Sequence, residues 1–279
     1  MSSDPYDLII IGGGPAGIAA GIYAARYKLN HLVIADEIGG LMLYSDIVEN
    51  YPGYASIKGP ELMKKFEEHA ANLEIEIQKE KVTSIKENDD IFSINTGKSS
   101  YTARSLIIAT GSARRKLGVP GEDEYSGMGV SYCATCDAFF FKNKVCCIVG
   151  GSDSAAKEAL VLSRVAKKVY VIYRRSKLRA EPMMAQMVYD CGNIEVIHDC
   201  NITKILGDDN GIVCNVQLDN GDKLDVNGVF IEVGFTPRTG ILEDLGVELN
   251  DAGEIIIKKK KKTNVEGIFA AGDVTNAYL

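Results

Sequence analysis

The chain has 279 residues, 46% of them hydrophobic, which is enough for two modest domains with cores of their own. Its 38 acids against 31 bases leave a formal charge of −7, which speaks against nucleic acid as the partner. Seven cysteines do not form a secreted disulfide framework, Met1-Ser2-Ser3-Asp4-Pro5 lacks a signal peptide's positive charge, and the apolar runs are too short to cross a bilayer, so the expectation is a cytoplasmic protein without a membrane partner.

Residues 6–11 are an apolar run that predicts a buried parallel strand. The run leads straight into Gly12-Gly13-Gly14-Pro15-Ala16-Gly17, and residues 18–28 are Ala-rich and helical. A Gly-x-Gly-x-x-Gly turn between strand and helix is what a dinucleotide site requires. Gly12 permits the tight turn, Gly14 lets a pyrophosphate approach the backbone, and Gly17 lets helix and strand close. The helix N-terminus offers free N–H groups and the positive end of its dipole to the phosphates. Residues 31–35 predict a second strand. Asp36 closes it, 22 residues after Gly14, where a carboxylate accepts from ribose hydroxyls; Glu37 is the alternative. By composition Gly39-Gly40 and Val48-Glu49-Asn50-Tyr51-Pro52-Gly53 read as turns. Residues 61–72 predict a helix, and residues 74–102 a small antiparallel excursion. Residues 105–109 are again a buried strand, ending in Thr110-Gly111, at the strand end where open α/β sheets hold ligands.

The pattern then repeats. Residues 144–149 predict a strand, with adjacent Cys146 and Cys147 buried in it, followed by Gly150-Gly151-Ser152-Asp153-Ser154-Ala155 and a helix over 154–165. Ser152 stands where the first site has Gly14, so either it weakens pyrophosphate binding or its hydroxyl serves as a phosphate donor. The next strand, 169–173, ends in Arg174-Arg175, with Arg179 a turn later. Arg174 lies 22 residues after Ser152, and a guanidinium there suits a 2′-phosphate, which points to NADP(H) rather than NAD(H). Residues 194–225 predict a second antiparallel excursion with a hairpin at Asn220-Gly221. Residues 229–233 form a buried strand ending in Gly234-Phe235-Thr236-Pro237. Five lysines at 258–262 read as an exposed strand or turn, and the last strand, 268–271, ends in Gly272-Asp273.

Between the two glycine turns lies Cys133-Ala134-Thr135-Cys136-Asp137. Two thiols so spaced close a small disulfide ring, one attacking an incoming disulfide and the other resolving the mixed intermediate, while the acid beside them can shuttle protons. The alternative is a structural thiol pair. Zinc would want a second such pair, and His31, His69 and His198 lack metal-ligand spacing, so no metal site is expected. Flanking nucleotide patterns favour the redox reading.

Two dinucleotide sites around a redox Cys-x-x-Cys resemble the low-molecular-weight thioredoxin reductases. The most specific stretches are Val48-Glu49-Asn50-Tyr51-Pro52-Gly53, Ser131-Tyr132-Cys133-Ala134-Thr135-Cys136-Asp137, Tyr173-Arg174-Arg175 with Arg179-Ala180-Glu181, and Ala270-Ala271-Gly272-Asp273. The resemblance implies an α/β protein of two Rossmann-like, three-layer domains, each a parallel sheet with an antiparallel excursion. The FAD domain comprises 1–113 and 241–279, and an NADPH domain over 114–240, carrying the cysteines, is inserted in it. It implies NADPH-dependent reduction of thioredoxin, or of a similar dithiol protein, by a homodimer whose NADPH domain rotates. Cys136 faces the flavin, Cys133 attacks the partner's disulfide and Asp137 is the acid–base group. The FAD candidates are Gly12, Gly14, Pro15, Ala16, Gly17, Asp36, Glu37, Gly40, Asn50, Val82, Ala109, Gly111, Gly272 and Asp273. The NADPH candidates are Gly150, Gly151, Ser152, Asp153, Ser154, Arg174, Arg175, Arg179 and Gly234.

The chain departs from the family in three places. Leu41 replaces a glutamine near the flavin, Ser152 replaces a glycine, and the chain stops at Leu279 where members continue, so the second FAD segment is expected to be truncated. Two further readings compete. One is a flavin disulfide reductase fed by ferredoxin or a reduced deazaflavin, supported only by Ser152; the other is a flavin-binding redox protein without turnover.

Overall fold

A computed structural model describes residues 4–45 and 47–277. Met1, Ser2 and Ser3, read above for a leader, and Leu279, read for a truncation, lie outside them. The chain forms two compact units. One is Arg114–Phe235; the other combines the chain up to Ala113 with the chain from Thr236 onward. The second crossing thus falls at Phe235, ahead of the boundary expected at 240. Residues just after it are tied to the first unit: the Arg238 N–H donates to the Gly111 carbonyl at 3.0 Å, and Thr110 Oγ donates to the Arg238 carbonyl at 2.9 Å.

The first unit is built on five parallel strands in the order Ile268–Ala270, Leu106–Ile108, Leu8–Gly13, His31–Ile38, Ile77–Gln78. Ile9, Ile10, Ile11, Leu32, Val33 and Ile34 are all but sealed from water, each worth about 1.5–3 kcal/mol of burial. Helix Pro15–Arg26 follows the glycine turn, with Pro15 preset for a first helical turn. It buries Gly17, Ile18, Gly21 and Ala24, one face at helical spacing. That face lies flat on the sheet because two of its residues lack side chains. A Cβ on Gly17 would strike the Gly12 carbonyl oxygen, and one on Gly21 would come within 3.2 Å of Val33.

The second unit repeats the plan, with parallel strands in the order Ile194–His198, Lys168–Tyr173, Val145–Val149, Gly228–Ile231, Val130–Ser131. Helix Asp153–Ser163 buries Ala155, Ala156, Ala159 and Leu162. Cys146 and Cys147 lie fully buried in the central strand. Each unit also carries three antiparallel strands: Ser84–Asn88, Ile91–Asn95 and Ser100–Ala103 in the first, Ile202–Gly207, Val213–Leu218 and Lys223–Asp225 in the second. These excursions start later than the alternation of apolar residues suggests. Ile77–Gln78 and Ile194–His198 instead add parallel edge strands, because helices Gly59–Asn72 and Pro182–Asp190 supply the crossover that parallel pairing needs. The lysine run is a tight turn closed by the Lys258 N–H on the Lys262 carbonyl at 2.8 Å, with Lys260 and Lys261 left-handed.

The contact between Gly17 and Gly12 makes a prediction. Gly17→Ala should lower unfolding stability by about 1–3 kcal/mol, read as a shift of the denaturant midpoint. Gly14→Ala, whose Cβ meets nothing within 4 Å at an ordinary φ of −76°, should cost less than about 1 kcal/mol.

Candidate functional site

In the first unit the carboxyl ends of Leu8–Gly13, His31–Ile38 and Leu106–Ile108 open on a cleft of about 910 Å³. Gly12, Gly14, Pro15 and Ala16 form its floor. Gly14 caps the helix, and the space beyond its Cα is open, a cradle that a side chain would fill and a phosphate can enter. The first helical turn carries no acid, so its N–H groups meet an incoming anion without competition. Gly17 stays beneath the turn, in the helix–strand contact.

Asp36, Glu37, Gly40, Val82, Ala109 and Gly111 line the same cleft. Gly272, at φ +83°, passes close over Ala16. Asp273 lines the far end, its carbonyl accepting from Ser112 Oγ at 2.9 Å. Asp36 faces Arg238 across 3.8 Å, but both are half exposed and the pair is worth little in water. Arg238 also lines the cleft and had no signal in the sequence, since it is brought there only by the return of the chain. Leu41 lines the cleft too, as an apolar surface. Asn50 is exposed and does not line it. An open glycine cradle with acids at the strand ends fits an extended dinucleotide such as FAD.

The second cleft, of about 340 Å³, is lined by Gly150, Gly151, Ser152 and Gly234 on one side and Arg174, Arg175 and Arg179 on the other. Gly151 serves packing rather than phosphate approach, for a Cβ there would sit 2.6 Å from the Tyr173 ring. Its carbonyl accepts from the Arg179 N–H at 2.7 Å, which ties the arginine loop to the glycine turn. Ser152 is the helix N-cap, yet its side chain makes no capping bond, so the hydroxyl remains available to the cleft. Asp153 and Ser154 stay outside the lining; Asp153 Oδ1 accepts from the Glu181 N–H at 2.7 Å. Among the described residues none of the three guanidiniums has an acidic partner. Unpaired guanidiniums at a strand end fit the extra phosphate of NADP(H).

Cys133 and Cys136 are joined in a disulfide at the start of helix Ala134–Asp137. The Cys136 N–H donates to Cys133 Sγ at 3.2 Å, so one sulfur acts as the helix's own cap. Cys136 is exposed and Cys133 partly buried. Ser131 Oγ donates to Asp137 Oδ2 at 2.6 Å and accepts from the Cys133 N–H at 3.1 Å, which fixes the acid beside the sulfurs. Ala138–Phe141 follows as a three-residue-per-turn helix. Its period buries Ala138 and Phe141, the latter edge-on to Phe230, and turns Phe139 and Phe140 outward at 80% and 69% exposure.

Two features near this turn had no place in the sequence reading. Glu122 is buried, and its carboxylate accepts from the N–H groups of Leu117 and Gly118 and from the Tyr132 hydroxyl, at 2.6 to 2.9 Å. Burial and that carboxylate push the Tyr132 hydroxyl well above its ordinary pKa. The other feature is a pair of acids. Glu232 holds Arg114 Nη1 at 3.0 Å, and Glu158 lies against it, with burial as the largest cause pushing the Glu158 carboxyl up to about 8 and the Glu232 charge as the next. Among the described residues no cluster of three or more His, Cys, Asp or Glu could hold a metal ion, and no helix is long and apolar enough to cross a membrane.

Known proteins share this arrangement. The family profile described as pyridine nucleotide-disulphide oxidoreductase matches residues 6–278. A thioredoxin reductase of Treponema pallidum is 42% identical over 98% of this chain and 90% of its own, and one of Bacillus subtilis is 41% identical over 98% and 88%. The crystal structure of Lactococcus lactis thioredoxin reductase superposes with a TM-score of 0.87 at 40% identity, covering 98% of this chain and 92% of that one. On these grounds the chain belongs to the pyridine nucleotide-disulphide oxidoreductase family.

Proposed function

We propose that the chain reduces the disulfide of thioredoxin, or of a similar small dithiol protein, with electrons from NADPH, by way of FAD and the Cys133–Cys136 pair. The carrying observation is the Cys133–Cys136 disulfide, set at the head of a short helix beside Asp137 in the same unit as a guanidinium-lined cleft. The net reaction converts NADPH, one proton and the partner's disulfide into NADP+ and the partner's dithiol. In this reading the unit holding the first cleft is the FAD-binding domain and Arg114–Phe235 the NADPH-binding domain. FAD, when bound, supplies the means to accept a hydride from NADPH and to pass an electron pair to a disulfide.

The chain's own residues do the rest. Gly14 and the first turn of Pro15–Arg26 hold the diphosphate of FAD, Asp36 its ribose and Asp273 the chain beyond. Arg174, Arg175 and Arg179 hold the 2′-phosphate of NADPH, with Ser152 Oγ on its diphosphate. Once the pair is reduced, the Cys133 thiolate attacks the partner's disulfide and expels one partner sulfur as a thiolate. Cys136 then breaks the mixed disulfide, which restores the Cys133–Cys136 bond and releases the second partner sulfur. Asp137, held by Ser131, carries the protons these steps exchange. Phe139 and Phe140 present an apolar surface beside the sulfurs for the partner to cover.

The guanidiniums disfavour ferredoxin or deazaflavin as the donor, since neither needs three unpaired cations at a strand end. A homodimer is supported by Tyr23 and Tyr27, exposed on the last turn and at the C-cap of helix Pro15–Arg26. A cytoplasmic site of action is supported by free Cys146, Cys147, Cys191, Cys200 and Cys214, thiols that persist in a reducing compartment.

Anaerobic NADPH should bleach the flavin band of the purified protein. Cys136→Ser should leave that bleaching intact and abolish thioredoxin turnover. Gly14→Ala should fold but lose its flavin on gel filtration. Bleaching by another donor and none by NADPH would overturn the reading.

The arginines make a separate prediction. Arg174→Ala with Arg175→Ala should raise KM for NADPH about ten- to a hundredfold, the equivalent of one charge-assisted hydrogen bond of about 1.5–3 kcal/mol, with KM for NADH unchanged. Steady-state kinetics with both nucleotides check it.

A further inference from the structure

Strand Lys168–Tyr173 and helix Pro182–Asp190 are joined by residues 174–181, the loop that carries Arg174, Arg175 and Arg179. The far end of this loop is fixed to the glycine turn. The Arg179 and Ala180 N–H groups donate to the Gly151 carbonyl at 2.7 and 3.1 Å, and the Glu181 N–H donates to Asp153 Oδ1 at 2.7 Å. The near end is fixed from the other side, by the edge strand Ile194–His198. Tyr173 pairs there with His198 in parallel register, and its carbonyl accepts from the Cys200 N–H at 3.2 Å. Beyond that pair, residues 174–177 are exposed, so packing does not set the path of the backbone.

Polar contacts set it instead. The Arg175 carbonyl takes two donors from the end of the edge strand. The Asp199 N–H reaches it at 3.4 Å, from a residue held in the left-handed region at φ +51°. His198 Nδ1 reaches it at 3.1 Å. A carbonyl only accepts, so the imidazole proton in that contact sits on Nδ1. In the neutral ring Nε2 is then an acceptor, and the Tyr189 hydroxyl lies 3.1 Å from it as the donor. The two rings stand 6.0 Å apart, tilted by 42°. A chain of two hydrogen bonds thus runs from helix Pro182–Asp190, through the edge strand, to the backbone of an arginine that lines the second cleft.

We propose that His198, its tautomer fixed by Tyr189, is a positioning residue for recognition of a nucleotide 2′-phosphate. It holds the peptide of Arg175, and with it the direction in which Arg174 and Arg175 leave the backbone. This rests on the reading of the second cleft as the NADP(H) site. Neither His198 nor Tyr189 lines that cleft, so both act through Arg175. An arginine whose backbone is held in advance meets the phosphate at a smaller entropy cost than one that must be ordered as the ligand arrives. The choice between NADP(H) and NAD(H) thereby depends on two rings outside the site.

The test is calorimetric titration of the flavin-loaded enzyme with adenosine 2′,5′-bisphosphate and with 5′-AMP, which differ by the phosphate in question. The ratio of their affinities reads the arginine loop and needs no turnover. In the wild type the bisphosphate should bind more tightly. His198→Phe keeps a ring but removes both hydrogen bonds, and it should lower the ratio about three- to tenfold, the effect of one ordinary hydrogen bond, with 5′-AMP affinity unchanged. His198→Asn, whose amide donates from near the place of Nδ1, should keep the ratio within about twofold of the wild type. Tyr189→Phe removes only the donor to Nε2 and should lower the ratio about twofold, an independent reading should a His198 variant fail to fold. An unchanged ratio in His198→Phe, an equal loss for both ligands, or a loss in His198→Asn as large as in His198→Phe would overturn the inference alone. A wild type that binds the two ligands alike would overturn the NADP(H) reading and the inference with it.

Discussion

The carbonyl oxygen of Gly12 occupies the space where residue 17 would carry its Cβ. That close approach fixes the angle at which helix Pro15–Arg26 leaves the sheet, and so where its first N–H groups point. A bulkier residue at 17 would lift the helix, move Gly14 off the strand ends and close the open space above its Cα. The acids at the ends of neighbouring strands are then placed by strand pairing alone, since Leu8–Gly13 is parallel to His31–Ile38 in register through Ile11 and Ile34. A site for a long, doubly charged ligand thus depends on a contact between two residues that have no side chains.

The second unit uses the same construction with different tolerances. Ala155 stands where the first unit has Gly17, and its Cβ fills the space that Gly150 leaves open; Gly150 itself sits at φ +149° over the Glu232 carbonyl. Ser152 sits at the helix cap. Charge at the strand end is reversed. Asp36 is answered by Arg174 and Arg175, which pair with no carboxylate among the described residues. In the proposed reading one backbone design thereby receives two different nucleotides, sorted by the residue that ends the second strand.

What the sequence made legible was local. The glycine turns, their strands and helices, and the charge 22 residues on are all written within some 40 residues, and both turns form clefts where those signals place them. The edge strands Ile77–Gln78 and Ile194–His198 were misjudged because a half-exposed strand alternates in the same way whether its neighbour is parallel or antiparallel. Helix Pro182–Asp190 is only nine residues long, and it lies between the arginine loop and the edge strand without a glycine turn to announce it. Arg238 enters the cleft only because the chain returns to the first unit, a long-range event with no local mark. Glu158 and Glu232 did leave a mark: one acid on the buried face of a helix, the other inside an apolar strand run. Reading it required knowing that the two elements meet.

Glu122 and Glu158 show what decides the state of an acid buried near the disulfide. Both lie in Arg114–Phe235; Glu122 is buried, and Glu158 is partly buried with its Oε2 sealed from solvent. Three donors converge on Glu122: two backbone N–H groups from the segment just after Arg114 and the Tyr132 hydroxyl next to Cys133. Those donors stand in for the water the carboxylate has lost, and they fasten the segment after Arg114 to the residue before Cys133. Glu158 Oε2 finds no donor, while the nearby cation is already committed to Glu232. Burial first, and the second acid next, push the Glu158 carboxyl well above the usual carboxylate range. The two acids of one unit therefore differ in what surrounds them: three donors reach the Glu122 carboxylate, while Glu158 Oε2 has none.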